Sequence, residues 1–234
     1  MNTNSNTYTF LYASVMVLIV AAVLSFTALQ LKPRQNKNRE IEKKQDILNA
    51  VGVSSTPADA EKLYDQYIVK AFTVSSEGTV KSEDKDATFK VDLKREAKKD
   101  LEERDLPVFV FNKEGVGEKM ILPVRGKGMW GPLWGYIAME KDGNTIFGAT
   151  FAHQGETPGL GAEISTPAFQ DQFIGKQIFN EAGKFTSIIM VKGTASGNLH
   201  QFDAVSGGTV TSKGFEAMLL DNLSSYEKFL KSSK

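Results

Sequence analysis

None of the first 31 residues carries a charge. Within them, Tyr8 to Leu31 reads YTFLYASVMVLIVAAVLSFTALQL, an almost wholly apolar run of 24 residues. A helix rises about 1.5 Å per residue, so about 20 residues cross a hydrocarbon layer about 30 Å thick. In lipid such a helix satisfies its own backbone hydrogen bonds, which an irregular segment cannot do. Tyr8, Phe10 and Tyr12 gather at one end, where an interfacial aromatic belt belongs. A cleaved signal peptide has a positive start, a shorter apolar core and a small-residue cleavage site, and this segment has none of these. A buried core helix of this length would be unusual at a chain end. The segment is therefore read as an uncleaved single-pass anchor whose first partner is membrane lipid.

That reading divides the chain into a short tail (1–7), a transmembrane helix (8–31), a juxtamembrane stalk (32–56) and a folded domain (57–234). Lys32, Arg34, Lys37 and Arg39 follow the anchor, while only the amino terminus is positive before it. Taken literally, the positive-inside rule puts the folded domain in the cytoplasm.

Composition narrows the chemistry. Lys plus Arg and Asp plus Glu are 28 each, giving a net charge of zero, and no basic block marks nucleic acid as a partner. The chain has no Cys. Thiolate nucleophiles, disulfides, iron–sulfur clusters and cysteine-ligated zinc are thereby excluded.

Residues 32–50 predict a solvated charged helix with Ile41, Ile47 and Leu48 as sparse apolar points. Ser55-Thr56-Pro57 opens a second helix through about Lys70, with Leu63, Tyr67 and Ile68 on one face. Strands are expected at 88–93, 106–112, 120–125, 133–141, 145–152 and 185–192, where β-branched and aromatic residues lie between turn signals. Asp142-Gly143-Asn144 reads as a hairpin turn. Lys94 to Asp105 is heavily charged and reads as solvated. Pro167 to Phe173 predicts a short helix capped by Thr166. From Val210 to Leu230, Phe215, Met218, Leu219, Leu223, Tyr226 and Leu230 recur at helical spacing and predict one long helix with a core-facing stripe. The mixture predicts an α+β domain with a twisted, mainly antiparallel sheet and packed helices.

Three glycine-rich segments stand out. In Gly126-Lys127-Gly128-Met129-Trp130-Gly131-Pro132-Leu133-Trp134-Gly135, the two Trp residues either frame an aromatic cofactor or sit in the core beside a tight turn. The segment is neither a Walker motif nor a dinucleotide fingerprint. His153-Gln154-Gly155-Glu156-Thr157-Pro158-Gly159-Leu160-Gly161-Ala162-Glu163 leaves a strand and offers a His, carboxylates and a hydroxyl. His153 and Glu156 are two metal ligands without a third, and His200 is the only other histidine, so no metal site is assigned. A loop that shapes a ligand pocket accounts better for its Gly and Pro. Asp203-Ala204-Val205-Ser206-Gly207-Gly208-Thr209-Val210-Thr211-Ser212 runs straight into the long helix. A helix start favours phosphate, and hydroxyls and flexible glycines cluster there, although an ordinary capped start needs only one of them.

These segments, in this order after an N-terminal anchor, resemble the FMN-binding domain family. Within it they resemble the C-type subunits of the sodium-translocating NADH:quinone oxidoreductases. The resemblance covers most of the chain and rests chiefly on H-x-G-E-T-P-G-L-G-A-E and S-G-G-T-V-T-S, since G-K-G-M-W-G alone is unspecific. It implies that a flavin transferase attaches FMN through its phosphate to the Thr211 hydroxyl as a phosphodiester, with Thr209 the second candidate. Ser206, Gly207, Gly208 and Thr209 would surround the phosphate, Gly208 replacing a common alanine. Glu156, Thr157, Gly159, Leu160 and Gly161 would line the flavin, with Trp130 and Leu160 as apolar cover. Asp203 matches the acidic position of the attachment motif, acting directly or through a metal. No residue is assigned to chemistry on NADH.

The resemblance further implies an electron-carrying member of a bacterial inner-membrane complex that couples NADH oxidation and quinone reduction to sodium export. The flavin domain would then face the periplasm, against the flanking charges. Two other readings stay open: the covalent-FMN component of a related ferredoxin–NAD oxidoreductase complex, and a flavin-free anchored binding or scaffold module.

Overall fold

The computed structural model describes residues 5–232. The chain divides between Lys43 and Lys44 into two units. The first consists of most of helix α1 (Asn6–Asn49). Its apolar segment is long enough to cross a membrane and is not buried against other protein, with Phe10, Val17, Leu18, Leu24 and Phe26 all exposed. Thr27 returns its hydroxyl to the Val23 carbonyl at 2.8 Å, so this polar group is satisfied within the helix. Pro33 lies inside the helix and lacks the N–H that would serve the Leu29 carbonyl.

The second unit starts within the last turns of α1, where Ile47 and Leu48 are fully buried rather than solvated. It continues through α2 (Ala60–Tyr67), β1 (Ile68–Val74), β2 (Val80–Ser82), α3 (Lys85–Phe89) and α4 (Leu93–Glu96). Strands β3 (Leu106–Lys113), β4 (Gly117–Lys127), β5 (Pro132–Met139) and β6 (Ile146–His153) follow. Then come α5 (Pro167–Gln170), β7 (Ile189–Val191), β8 (Gln201–Asp203), α6 (Thr209–Ser225) and α7 (Glu227–Ser232). Strands β1 to β6 form one antiparallel sheet in the order β2-β1-β3-β4-β5-β6, while β7 and β8 pair in parallel.

The sheet is covered on both faces, and side-chain alternation sorts its strands between two cores. Val108, Leu122, Val124, Ile137 and Met139 point to the side packed by α6 and α7. Phe109, Phe111, Ile121, Tyr136 and Ala138 point to the side packed by the end of α1 and by α2. Phe215 of α6 meets Phe151 of β6 edge-on with ring centroids 4.6 Å apart, inside a group that includes Phe169, Phe173 and Phe202. Such contacts fix the helix against the sheet more firmly than area burial alone. Because Thr211 lies one helical turn before Phe215, the same face that anchors α6 carries Thr211 inward.

Several sequence expectations are corrected. The strand expected at 88–93 is replaced by α3 and α4. Asp84 accepts from the N–H groups of Asp86 and Ala87 at 2.9 Å, and Asp92 accepts from Lys94 N–H at 2.9 Å, so two aspartate N-caps outweigh the β-branched residues. The helix expected to reach Lys70 stops at Tyr67, and Ile68 begins β1 with no turn between. The long helix ends at Ser225, and α7 resumes at Glu227. Tyr226 sits between them, fully buried, and donates to the Pro107 carbonyl at 2.8 Å. The apolar stripe is buried throughout as expected. The strand expected at 185–192 shortens to β7. Pro167 does open α5, but the Thr166 hydroxyl donates to the Glu163 carbonyl at 2.7 Å instead of capping the helix. The turn at Gly143 is tight: its φ is +64°, and a Cβ there would lie 2.5 Å from the Leu230 carbonyl oxygen.

Candidate functional site

Helix α6 approaches the end of β4 closely because each side of the contact carries a glycine where a Cβ would clash with the other side. A Cβ on Gly126 would lie 2.5 Å from Met218 Cβ, and one on Gly214 would strike the Lys127 carbonyl. Asn222 locks the pair further: its side chain accepts from Arg125 N–H at 3.2 Å and donates to the Arg125 carbonyl at 2.9 Å. This brings the loop after β4, the loop after β6 and the first turn of α6 to one place.

Glu156 is the centre of that place. It is 5% exposed, and Thr211 is 2% exposed. One carboxylate oxygen accepts from Trp130 N–H at 2.8 Å, and the other accepts from the Thr211 hydroxyl at 2.5 Å. The Glu156 N–H donates to Nδ1 of His153 at 3.1 Å, so His153 closes the turn and acts as an acceptor there. Among the described residues Glu156 has no ion pair. Its burial is made tolerable by hydrogen bonds to both oxygens. Two glycines leave room for the carboxylate. A Cβ on Gly128 would lie 2.5 Å from one oxygen, and a Cβ on Gly161 would strike the other and lie 2.5 Å from Thr211 Oγ1.

The start of α6 is unusual in its cap. Gly208 occupies the N-cap position and has no side-chain oxygen to offer the first N–H groups. The nearby hydroxyl of Ser212 is otherwise engaged, accepting from Val205 N–H and donating to the Gly208 carbonyl, both at 3.0 Å. Orphan N–H groups at Thr209, Val210 and Thr211, with the positive end of the helix dipole, favour an anion. Gly207 has φ +70°, and a Cβ there would lie 2.6 Å from Leu160 Cδ2. An alanine at 208 would be crowded too, 3.0 Å from Val205 Cγ1.

A cavity of about 380 Å³ opens above these groups, lined by Met129, Trp130, Glu156, Thr157, Leu160, Gly161 and residues 207–211. That size falls within the range of small-molecule and cofactor sites. Trp130, Met129, Leu160 and Val210 are large apolar side chains left exposed around it. The donor set fits a phosphorylated aromatic cofactor, with uncapped N–H groups for phosphate, a threonine hydroxyl beside them and apolar cover beyond.

Of the residues that the sequence marks, Trp130, Glu156, Thr157, Leu160, Gly161, Gly207, Gly208, Thr209 and Thr211 share this lining. Ser206, Gly159 and Asp203 are not part of it. The Gly159 N–H donates to the Glu163 carboxylate at 3.1 Å. Asp203 accepts from Ala195 N–H, and its own N–H donates to Gln172 at 2.8 Å, so its carboxylate holds the loop between β7 and β8. No cluster of His, Asp and Glu able to hold a metal occurs among the described residues. His200 lies elsewhere, with Nδ1 2.7 Å from the Gln177 carbonyl. Met129 and Val210 escape the sequence reading; each neighbours a marked residue, but the sequence does not show which way it points. Neither Trp is a core residue: Trp130 is exposed and Trp134 half-buried.

Residues 128–224 match the family model described as an FMN-binding domain. The C-type subunit of the Na(+)-translocating NADH-quinone reductase of Vibrio alginolyticus is 31% identical over 216 residues, covering 85% of this chain and 83% of that protein. Its counterpart from Neisseria meningitidis is 33% identical over 213 residues, with 85% and 82% covered. The crystal structure of the Parabacteroides distasonis counterpart superposes with a TM-score of 0.77 at 44% identity, covering 86% of this chain and 96% of that one. The match to Shewanella oneidensis NqrC has a TM-score of 0.69 at 26% identity, covering 84% and 98%. The likeness therefore runs along most of the length of these proteins, and this chain belongs to the NqrC family of the Na+-translocating NADH–quinone reductases.

Proposed function

We propose that this chain is the FMN-carrying, electron-transferring subunit of a membrane complex that couples NADH oxidation and quinone reduction to sodium transport, with FMN joined through its phosphate to Thr211. The family membership supports the role, and the FMN-binding domain at 128–224 supports the cofactor. The motif resemblance favours Thr211 over Thr209, which lines the same cavity, and one observation supports it: the Thr211 hydroxyl lies in the first turn of α6, where an uncapped helix start receives phosphate, and donates to Glu156 at 2.5 Å.

When bound, FMN supplies the redox chemistry, and the protein supplies binding, orientation and electrostatics. The first-turn N–H groups hold the phosphate. Trp130, Met129 and Leu160 give the ring system an apolar seat and shield it from water. Thr157 offers a hydroxyl beside that seat. An ester bond at Thr211 keeps the carrier in place through every turnover.

Maturation on this reading requires a flavin transferase, with Asp203 as the acidic position of the attachment motif, its carboxylate bound to Ala195 N–H in the loop between β7 and β8. The chain is a single-pass inner-membrane protein, and on this proposal its flavin domain faces the periplasm. Sodium coupling is assigned to the assembly, since the anchor has no acidic residue for an ion path. The test is retention of flavin absorbance by protein denatured and stripped of free ligand. Native-source protein should keep it, and Thr211→Ala should lose it. Loss of colour from the unaltered chain on denaturation would overturn covalent carriage.

A further inference from the structure

Building on attachment at Thr211, we infer that Glu156 is the base that takes the Thr211 hydroxyl proton when that attachment is made. The chain thus contributes a catalytic carboxylate to its own modification. The hydroxyl already donates to Glu156 at 2.5 Å, so the proton to be removed is aimed at its acceptor before any donor arrives. The other carboxylate oxygen is pinned by Trp130 N–H at 2.8 Å, so the accepting oxygen is held in one direction. No cation is paired with Glu156 among the described residues, and the hydrogen bonds to its oxygens come from Trp130 N–H and the Thr211 hydroxyl. Both side chains line the cavity around which Trp130 and Val210 are exposed, so a donor entering it meets the hydroxyl and the carboxylate together.

The chemistry calls for such a group. A threonine hydroxyl is a weak nucleophile at neutral pH, and a positioned carboxylate raises its reactivity by accepting the proton as the new bond forms. The catalytic aspartate of protein kinases does this for a substrate hydroxyl. FMN itself would have to expel hydroxide, so the donor is an activated flavin dinucleotide, FMN joined to AMP by a phosphoanhydride and held by the transferase. Thr211 Oγ1 bonds to the FMN phosphorus. The anhydride P–O bond breaks, and AMP leaves with the electron pair. The hydroxyl proton passes to Glu156, and nothing is oxidised or reduced. In the product the Thr211 ester oxygen has no proton to give, so the hydrogen bond it donated to Glu156 is gone.

The test is the single-turnover rate of attachment on the full-length chain, with flavin adenine dinucleotide and a purified flavin transferase, followed by intact mass after denaturation. Glu156→Gln keeps an oxygen for Trp130 N–H but has no basic carboxylate. It should slow attachment about 100-fold or more. Glu156→Asp restores a carboxylate at shorter reach and should recover part of the rate. Both should melt within a few degrees of the unaltered protein. Attachment by Glu156→Gln at the unaltered rate would overturn the assignment. If Glu156→Gln does not fold, Glu156→Ala decides: a slowed, normally melting variant supports the base, and attachment at the unaltered rate overturns it. Failure of the unaltered chain to gain FMN at Thr211 would sink the attachment reading itself, a result distinct from any behaviour of the Glu156 variants.

Discussion

Thr211 and Glu156 are 55 positions apart in the chain, and their side chains meet at 2.5 Å. The contact joins the first turn of α6 to the loop leaving β6. It exists because both segments are tied to the same sheet, α6 through Phe215 and Asn222 and the loop through β6 itself. The cofactor site is thus a consequence of how the sheet and α6 pack.

Gly161 should be indispensable to that contact. A methyl group there would press on both Glu156 and Thr211, whereas one on Gly155 would meet nothing within 4 Å. Gly161→Ala is expected to cut FMN incorporation at least tenfold in cells that contain the flavin transferase. Gly155→Ala should leave it unchanged. Intact mass of each protein after equal expression gives the comparison. Equal incorporation in both would show that the packing around Glu156 and Thr211 does not matter.

The domain should lose stability in alkali. Burial raises the phenol pKa values of Tyr64, Tyr136 and Tyr226 above the ordinary range, with nearby carboxylates adding to the effect at Tyr64 (Asp65, Asp86) and Tyr136 (Asp46). In the unfolded chain these phenols ionise from about pH 10. The folded-state values are raised, so their contribution is complete below about pH 10 and is lost as pH rises beyond it. Phenolate absorbance should therefore appear in two stages, the second coinciding with loss of circular dichroism. Full phenolate formation in a still-folded domain would contradict the burial of these rings.

The side of the membrane is open to a direct experiment. Four cations follow the anchor, at Lys32, Arg34, Lys37 and Arg39. The proposed topology runs against them, which a statistical rule permits when a larger assembly helps set orientation. A reporter fused after Lys234 is expected to be active in the periplasm and silent in the cytoplasm. The opposite pattern would put the flavin domain inside.

Much of this fold is legible in the sequence where one physical signal dominates. Strands β3 to β6 lie where apolar and β-branched runs are bounded by turns, and the stripe of α6 is buried as its spacing predicts. Errors arise where two signals compete. Thr88 to Leu93 has the residues of a strand, but Asp84 and Asp92 cap helices there. Strand β1 follows α2 without a glycine or proline to mark the change, so Ile68 reads as part of the helix.

The site is legible in sequence only as three separate glycine-rich segments. Nothing in their spacing shows that Glu156 faces Thr211, because that depends on the Gly126 and Gly214 approach of β4 to α6. Motif resemblance selects Thr211 and the Glu156 loop. It also selects Asp203, whose carboxylate the structure commits to Ala195 N–H outside the cavity lining. Side-chain direction, invisible in sequence, separates these cases.

The most direct test is peptide mapping of native-source protein across residues 203–213 after denaturation and digestion. The account predicts one peptide heavier by FMN less one water, with fragmentation placing the added mass on Thr211. The same peptide unmodified, from cells with an active flavin transferase, would contradict covalent carriage. The added mass on Thr209 instead would keep the carrier but contradict the site.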